Sequence, residues 1–196
     1  MSEAAGHHYT STGLDTRKLA FWTFIGSECL LFGTLIAVYL IYEGRSVSGP
    51  TTREILNIPM TSVSTFVLLM SSLAMVLALA AVTRGDRMQS RIWLATTAGL
   101  GLVFLAGQVY EFQQFVHEGL TISTNLFGST FFTLTGTHGL HVAVGVIWLT
   151  TLLIMSFRDN LGPDKAVTVE IAGLYWHFVD VVWIVIFTVV YLIQRG

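Results

Sequence analysis

Six ionisable side chains stand within or at the rim of long apolar runs: Glu28, Glu111, His138, His141, His177 and Asp180. A charged group at the centre of a membrane-spanning helix costs about 2.5–3.5 kcal/mol on insertion scales, so each needs a partner or a purpose. His138 and His141 are three residues apart, as are His177 and Asp180, so each pair shares a face of its own helix. With Trp176 and Trp183 nearby, an imidazole and a carboxylate on one face can form a hydrogen-bonded pair that removes much of the burial penalty. Two chemistries are open. In one, the polar groups tie neighbouring helices together. In the other, His, Glu and Asp ligate iron or copper, as in helical sites that join two Glu with Glu-x-x-His pairs. The spacing does not meet that second pattern: His138-Gly139-Leu140-His141 holds no carboxylate, and His177-Phe178-Val179-Asp180 runs in the reverse order. No catalytic residue, metal ligand or cofactor-binding residue is therefore expected on this chain. The six side chains are buried polar or proton-linked candidates. His7 and His8, in a polar terminal arm, read as solvated.

Glu28, in Ser27-Glu28-Cys29-Leu30-Leu31-Phe32-Gly33, has no Lys or Arg in the interior of any apolar run to pair with. It is expected to carry its proton, hydrogen-bonded to a polar side chain, a headgroup or water, in a structural or a proton-handling role.

The elements that position these groups follow from length and composition. The chain has 196 residues, 53% hydrophobic and 11% charged, too little polar surface to wet a soluble domain of this size. About 20 apolar residues cross a bilayer as a helix, and five runs reach that length: Leu19 to Tyr42, Met60 to Val82, Ile92 to Tyr110, Phe127 to Phe157 and Ile171 to Ile193. Helices are required because lipid gives the backbone no hydrogen-bond partner. The fold class is therefore all-α: one bundle of five transmembrane helices over residues 19–196, behind a polar arm of residues 1–18. Gly26, Gly33, Gly99, Gly101, Gly136, Gly139 and Gly145 read as close helix contacts. Cys29, the single cysteine, reads as a small core residue. Trp22, Tyr42, Trp93, Tyr110 and Tyr191 are expected at headgroup level.

Arg17, Lys18, Arg84, Arg87, Arg91, Arg158 and Lys165 fall on one side of the membrane, and Arg45, Arg53 and Arg195 on the other. That imbalance predicts a cytoplasmic amino terminus and an outer carboxyl terminus. A net charge of -2 with no basic patch argues against nucleic acid as a partner. No cleavable signal pattern opens the sequence, and the first run is long enough to serve as an anchor. Without an evident internal repeat, and with an odd number of spans, inverted-repeat transporter folds are disfavoured.

Two strings carry a resemblance: Phe131-Phe132-Thr133-Leu134-Thr135-Gly136-Thr137-His138-Gly139-Leu140-His141-Val142 and Tyr175-Trp176-His177-Phe178-Val179-Asp180-Val181-Val182-Trp183. Both resemble the signatures of subunit III of haem–copper terminal oxidases. Ser27-Glu28 with the following Leu-Leu-Phe resembles the family's buried-carboxylate site, and Tyr110-Glu111-Phe112 the segment that ends its next-but-one helix. The resemblance runs from Asp15 onward and is to the short, five-helix bacterial form, which lacks the first two helices of longer members.

It implies a multi-pass subunit of the bacterial plasma membrane that packs against oxidase subunit I, with subunit II as a further partner. The subunit would stabilise the catalytic core and support proton uptake, while haem and copper reside on those partner subunits. It also implies bound membrane phospholipid, in a cleft that is open, reduced or completed by another subunit, and allows a respiratory supercomplex. The parent complex is read as a proton-pumping aa3-type cytochrome c oxidase. A quinol oxidase is the alternative, and a membrane haem protein or proton channel a distant one.

Overall fold

The computed structural model describes residues 15–43, 45 and 58–193; His7, His8, Arg53, Arg195 and most of the polar arm lie outside them. Five helices are long and apolar enough to cross a membrane. They are α1 (Thr16–Tyr42), α2 (Ile58–Thr83), α3 (Arg87–His117), α4 (Leu126–Phe157) and α5 (Ala166–Phe187). A 3-10 turn, Pro163–Lys165, leads into α5, and a π-helical turn, Thr188–Leu192, continues it. The all-helical, five-span architecture expected from composition is what forms.

Polar residues set the helix starts. Asp15, Asp86 and Asn125 each accept a hydrogen bond from a first-turn backbone N–H, those of Arg17, Gln89 and Gly128, at 2.9, 3.0 and 2.7 Å. Between α2 and α3 the chain reverses over three residues, with Gly85 at φ +74°, where a side chain would be strained. At the same end, α4 stops at Asp159, held at φ +53°. Its carboxylate accepts from Arg87 and Arg91 of α3, both at 2.9 Å. Arg91 also donates at 2.9 Å to the Ser156 carbonyl in the last turn of α4, an acceptor it shares with the Asp159 N–H.

Helices α2, α3, α4 and α5 pack around one another, and α1 leans on α4 and α5. Lys18 of α1 and Glu170 of α5 form an ion pair at 2.7 Å near the start of both helices. The packing centre is Trp176 of α5, 1% exposed. A Cβ added at Gly101 of α3 would stand 2.6 Å from its ring, and one at Gly145 of α4 would stand 2.7 Å from it. Its indole N–H donates to Ser71 of α2 at 2.9 Å. One side chain thus touches three other helices, and two glycines make the space.

The glycine expectation therefore holds for Gly101 and Gly145, and for Gly139, which admits Gln108. It fails for Gly26, Gly33, Gly99 and Gly136, where a Cβ would meet nothing within 4 Å. Those glycines face out of the bundle, a distinction that spacing along one helix cannot make. Cys29 likewise proves exposed rather than core, because α1 buries a narrow stripe of Ile25, Phe32 and Tyr39. Large apolar side chains including Leu30, Phe66, Leu73, Val103, Leu140, Ile147 and Val181 cover the outside, as lipid requires.

The Trp176 notch makes a testable distinction. Gly101→Val should lower the stability of the purified protein by about 1–3 kcal/mol through overpacking, whereas Gly99→Ala should be close to silent. Thermal unfolding in detergent reads both, and equal effects would show that Trp176 does not depend on the notch.

Candidate functional site

The six candidate side chains lie in four places, and each of those places joins different helices. At the α1–α4 contact, His141 Nδ1 lies 2.8 Å from the Thr137 carbonyl oxygen and Nε2 lies 3.1 Å from a Glu28 oxygen. A carbonyl only accepts, so Nδ1 carries a hydrogen. A single proton then remains for the Nε2–Glu28 contact. It sits on Nε2 as an imidazolium–carboxylate pair, or on Glu28 as an acid donating to neutral imidazole. Both forms carry no net charge, which lowers the penalty for placing the pair in lipid. The base that the sequence reading did not find for Glu28 is thus His141. The Phe32 ring lies 5.0 Å from the His141 ring, and the Tyr175 hydroxyl donates to the His141 carbonyl at 3.0 Å.

His138 shares its helix face with His141 but reaches elsewhere. It is completely buried among Phe104, Phe32 and Trp183, with the Trp183 ring 4.8 Å away. Its Nε2 donates to the Val179 carbonyl of α5 at 3.2 Å, and Nδ1 has no partner among the described residues. The imidazole is therefore the neutral Nε2–H tautomer, a bond between α4 and α5.

Glu111 does not end its helix; α3 continues six residues further, to His117. Its carboxyl accepts from Thr61 of α2 at 2.7 Å and from Tyr191 at 3.2 Å. Tyr191 was expected at headgroup level, yet it is 1% exposed. It lies in the π-helical turn, whose wider winding shifts the side-chain register from the one a 3.6-residue period predicts.

His177 and Asp180 do not bond to each other. His177 Nδ1 bonds to the Ser72 hydroxyl of α2, while both Asp180 oxygens are buried without a hydrogen-bond partner.

Sequence reasoning singled out no side chain of α2, which has no ionisable residue. Its serines and threonines in fact receive the polar groups of two neighbours. Thr61 meets Glu111, Thr65 meets the Trp183 indole at 2.9 Å, Ser71 meets Trp176 and Ser72 meets His177. The signal was the spacing: 61, 65 and 72 recur at helical intervals on one side, with 71 beside 72. Gln108 was also missed; it is buried and donates to the Thr135 carbonyl at 2.8 Å, across α3 and α4. Among the described residues, no three His, Cys, Asp or Glu side chains converge on one point.

Between α1 and α4 an apolar groove of about 460 Å³ is lined by Phe21, Phe24, Leu140, Val144, Trp148 and Tyr175, with His141 also bordering it. The Glu28–His141 pair therefore stands at the edge of a lipid-accessible recess, its side chains 15% and 17% exposed.

This pair invites a coupling measurement. Glu28→Leu strands the His141 nitrogen and should destabilise the purified protein by about 1–3 kcal/mol, and Glu28→Gln should do so by less. In a Glu28→Leu/His141→Phe double variant the loss should fall short of the sum of the singles. Additive losses in thermal unfolding would mean that the two side chains are not coupled.

The sequence matches known proteins along nearly its whole length. The sequence profile of cytochrome c oxidase subunit III matches residues 1–194. A cytochrome c oxidase subunit 3 of Bacillus sp. (strain PS3) is 43% identical over 174 residues, covering 89% of this chain and 84% of the relative. A quinol oxidase subunit 3 of Bacillus subtilis (strain 168) is 41% identical over 195 residues, covering 100% of this chain and 95% of the relative. A probable quinol oxidase subunit 3 of Staphylococcus saprophyticus is 42% identical over 180 residues, covering 91% and 90%. Five apolar spans, the paired His and Asp strings and a match along nearly the whole length place this multi-pass bacterial membrane protein in the cytochrome c oxidase subunit III family, as a subunit of a haem–copper terminal oxidase.

Proposed function

We propose that this chain is the non-redox subunit III of a proton-pumping aa3-type cytochrome c oxidase, where it packs against subunit I, supports proton uptake and holds phospholipid. The observation that carries the reading is where the ionisable side chains turn. Glu28, Glu111, His138 and His177 each engage a neighbouring helix of the same chain. That is the behaviour of groups that hold a bundle together, and electron chemistry then falls to partner subunits carrying haem and copper.

Lipid binding is supported by the α1–α4 groove. Its lining is almost wholly apolar, and it reaches from Phe21, near the start of α1, toward the Glu28–His141 pair. An acyl chain matches that lining, and Arg17 and Lys18, one turn away on α1, suit a phosphate at headgroup level. The excess of basic residues around this end of the bundle supports a cytoplasmic amino terminus.

Electron donor is the point on which a second reading rests, because the relatives carry both cytochrome c oxidase and quinol oxidase names. Some quinol oxidases that this chain resembles carry Asp at the position of Glu28, so the Glu here favours cytochrome c as donor.

Purification through an affinity tag on this chain tests the proposal. The expected product contains two larger subunits by mass spectrometry, shows haem absorption, and consumes oxygen with reduced cytochrome c. Oxygen uptake with quinol alone would move the chain to the quinol branch. Haem bound to the isolated chain, or a preparation without partners, would overturn the assignment.

A further inference from the structure

Asp180 stands apart from the other five candidates because, among the described residues, no hydrogen bond is in place on either of its carboxyl oxygens. It lies fourteen residues into α5, about 21 Å from the helix start at 1.5 Å per residue. It is 3% exposed, and neither carboxyl oxygen has a hydrogen-bond partner. The described Lys and Arg residues all lie in end turns or loops, so none of them reaches the middle of α5.

The surroundings include α2, α5 itself and, on the carbonyl of the adjacent Val179, His138 of α4. One turn to either side of Asp180, Trp176 and Trp183 are tied to Ser71 and Thr65, which sets this face of α5 against α2. Ser72 borders the carboxyl, and its hydroxyl oxygen is bonded to His177 Nδ1. An ionised carboxylate here would present several lone pairs to an apolar interior with the Ser72 hydroxyl as the one named donor beside them, a costly arrangement for a buried acid. A protonated acid carries no charge and supplies a donor of its own. The available acceptor is the Ser72 oxygen, and a Ser72 that accepts from Asp180 directs its own hydrogen to His177 Nδ1.

We propose that Asp180 is a proton-binding site: a neutral carboxylic acid that donates to Ser72, which in turn donates to His177. The chain Asp180–Ser72–His177 then runs from the bundle interior to a half-buried imidazole. It leaves His177 as the Nε2–H tautomer, with a donor available to a carbonyl-type acceptor on whatever packs against this face. The structure so assigns Asp180 to the holding of a proton and the locking of α5 to α2, a role distinct from that of the charge-balanced Glu28–His141 pair.

Infrared difference spectroscopy on the intact oxidase complex carrying this chain decides the matter. Subtraction of an Asp180→Asn complex from the unaltered one should reveal the carbonyl stretch of a protonated carboxyl, present at neutral and at mildly alkaline pH. Ser72→Ala should keep that band but shift it to the higher frequency of an acid without a hydrogen-bond acceptor. If Asp180→Asn does not assemble, Asp180→Glu, which keeps the acid, should displace the band instead of removing it. Loss of a carboxylate stretch in either Asp180 variant would overturn the proposal, and so would a band that Ser72→Ala leaves unmoved. Assembly and haem content, read on the same samples, distinguish these results from failure of the oxidase assignment.

Discussion

Lipid supplies no hydrogen bonds, and that single constraint decides where nearly every polar side chain of this protein points. In water, a serine or threonine on a helix surface needs no partner; in a bilayer it becomes the most economical acceptor for a neighbour's polar group. Helix α2 shows the result. Its Thr61, Thr65, Ser71 and Ser72 meet a carboxyl from α3 and two indoles and an imidazole from α5. Each bond is small in energy, on the order of 0.6 kcal/mol in membrane proteins. Collectively they fix the rotation of α5 against α2, because a rotation large enough to break one breaks the others.

Packing and polar satisfaction meet at Trp176. The ring needs close approach to two helices, which Gly101 and Gly145 allow, and its N–H needs an acceptor, which Ser71 supplies. Removing either condition would leave a void or an orphan donor at the centre of the bundle. Helix α1 lies outside this knot. Its hold on α4 and α5 comes from a stripe of three buried side chains, the Glu28–His141 pair and the Lys18–Glu170 ion pair. Gly26, Gly33 and Cys29 lie on the outward side of α1, beside exposed Trp22 and Leu30.

This architecture suits a subunit whose task lies in an assembly. The interior polar groups are spent on holding the bundle together: Glu28 and His141 face each other as a charge-balanced pair, and Glu111 accepts from two hydroxyls. The outside is apolar across the spans, with basic residues gathered where α1, α3 and α5 begin.

Composition and run length by themselves determined the solvent, the helical class and the number of spans, because a bilayer leaves one way to satisfy the backbone of a long apolar run. The order of His, Gly, Trp and Asp in two strings was enough to suggest the family. Partner identity was not legible, since periodicity along a helix shows which residues share a face and is silent on which helix that face meets. Only the tertiary structure gave Glu28 to His141, separated His138 from its neighbour, drew Tyr191 inward through a π turn, and divided the glycines into those under Trp176 and those facing lipid. Those outcomes depend on the relative rotation of five helices, and that rotation is set by all the contacts acting together.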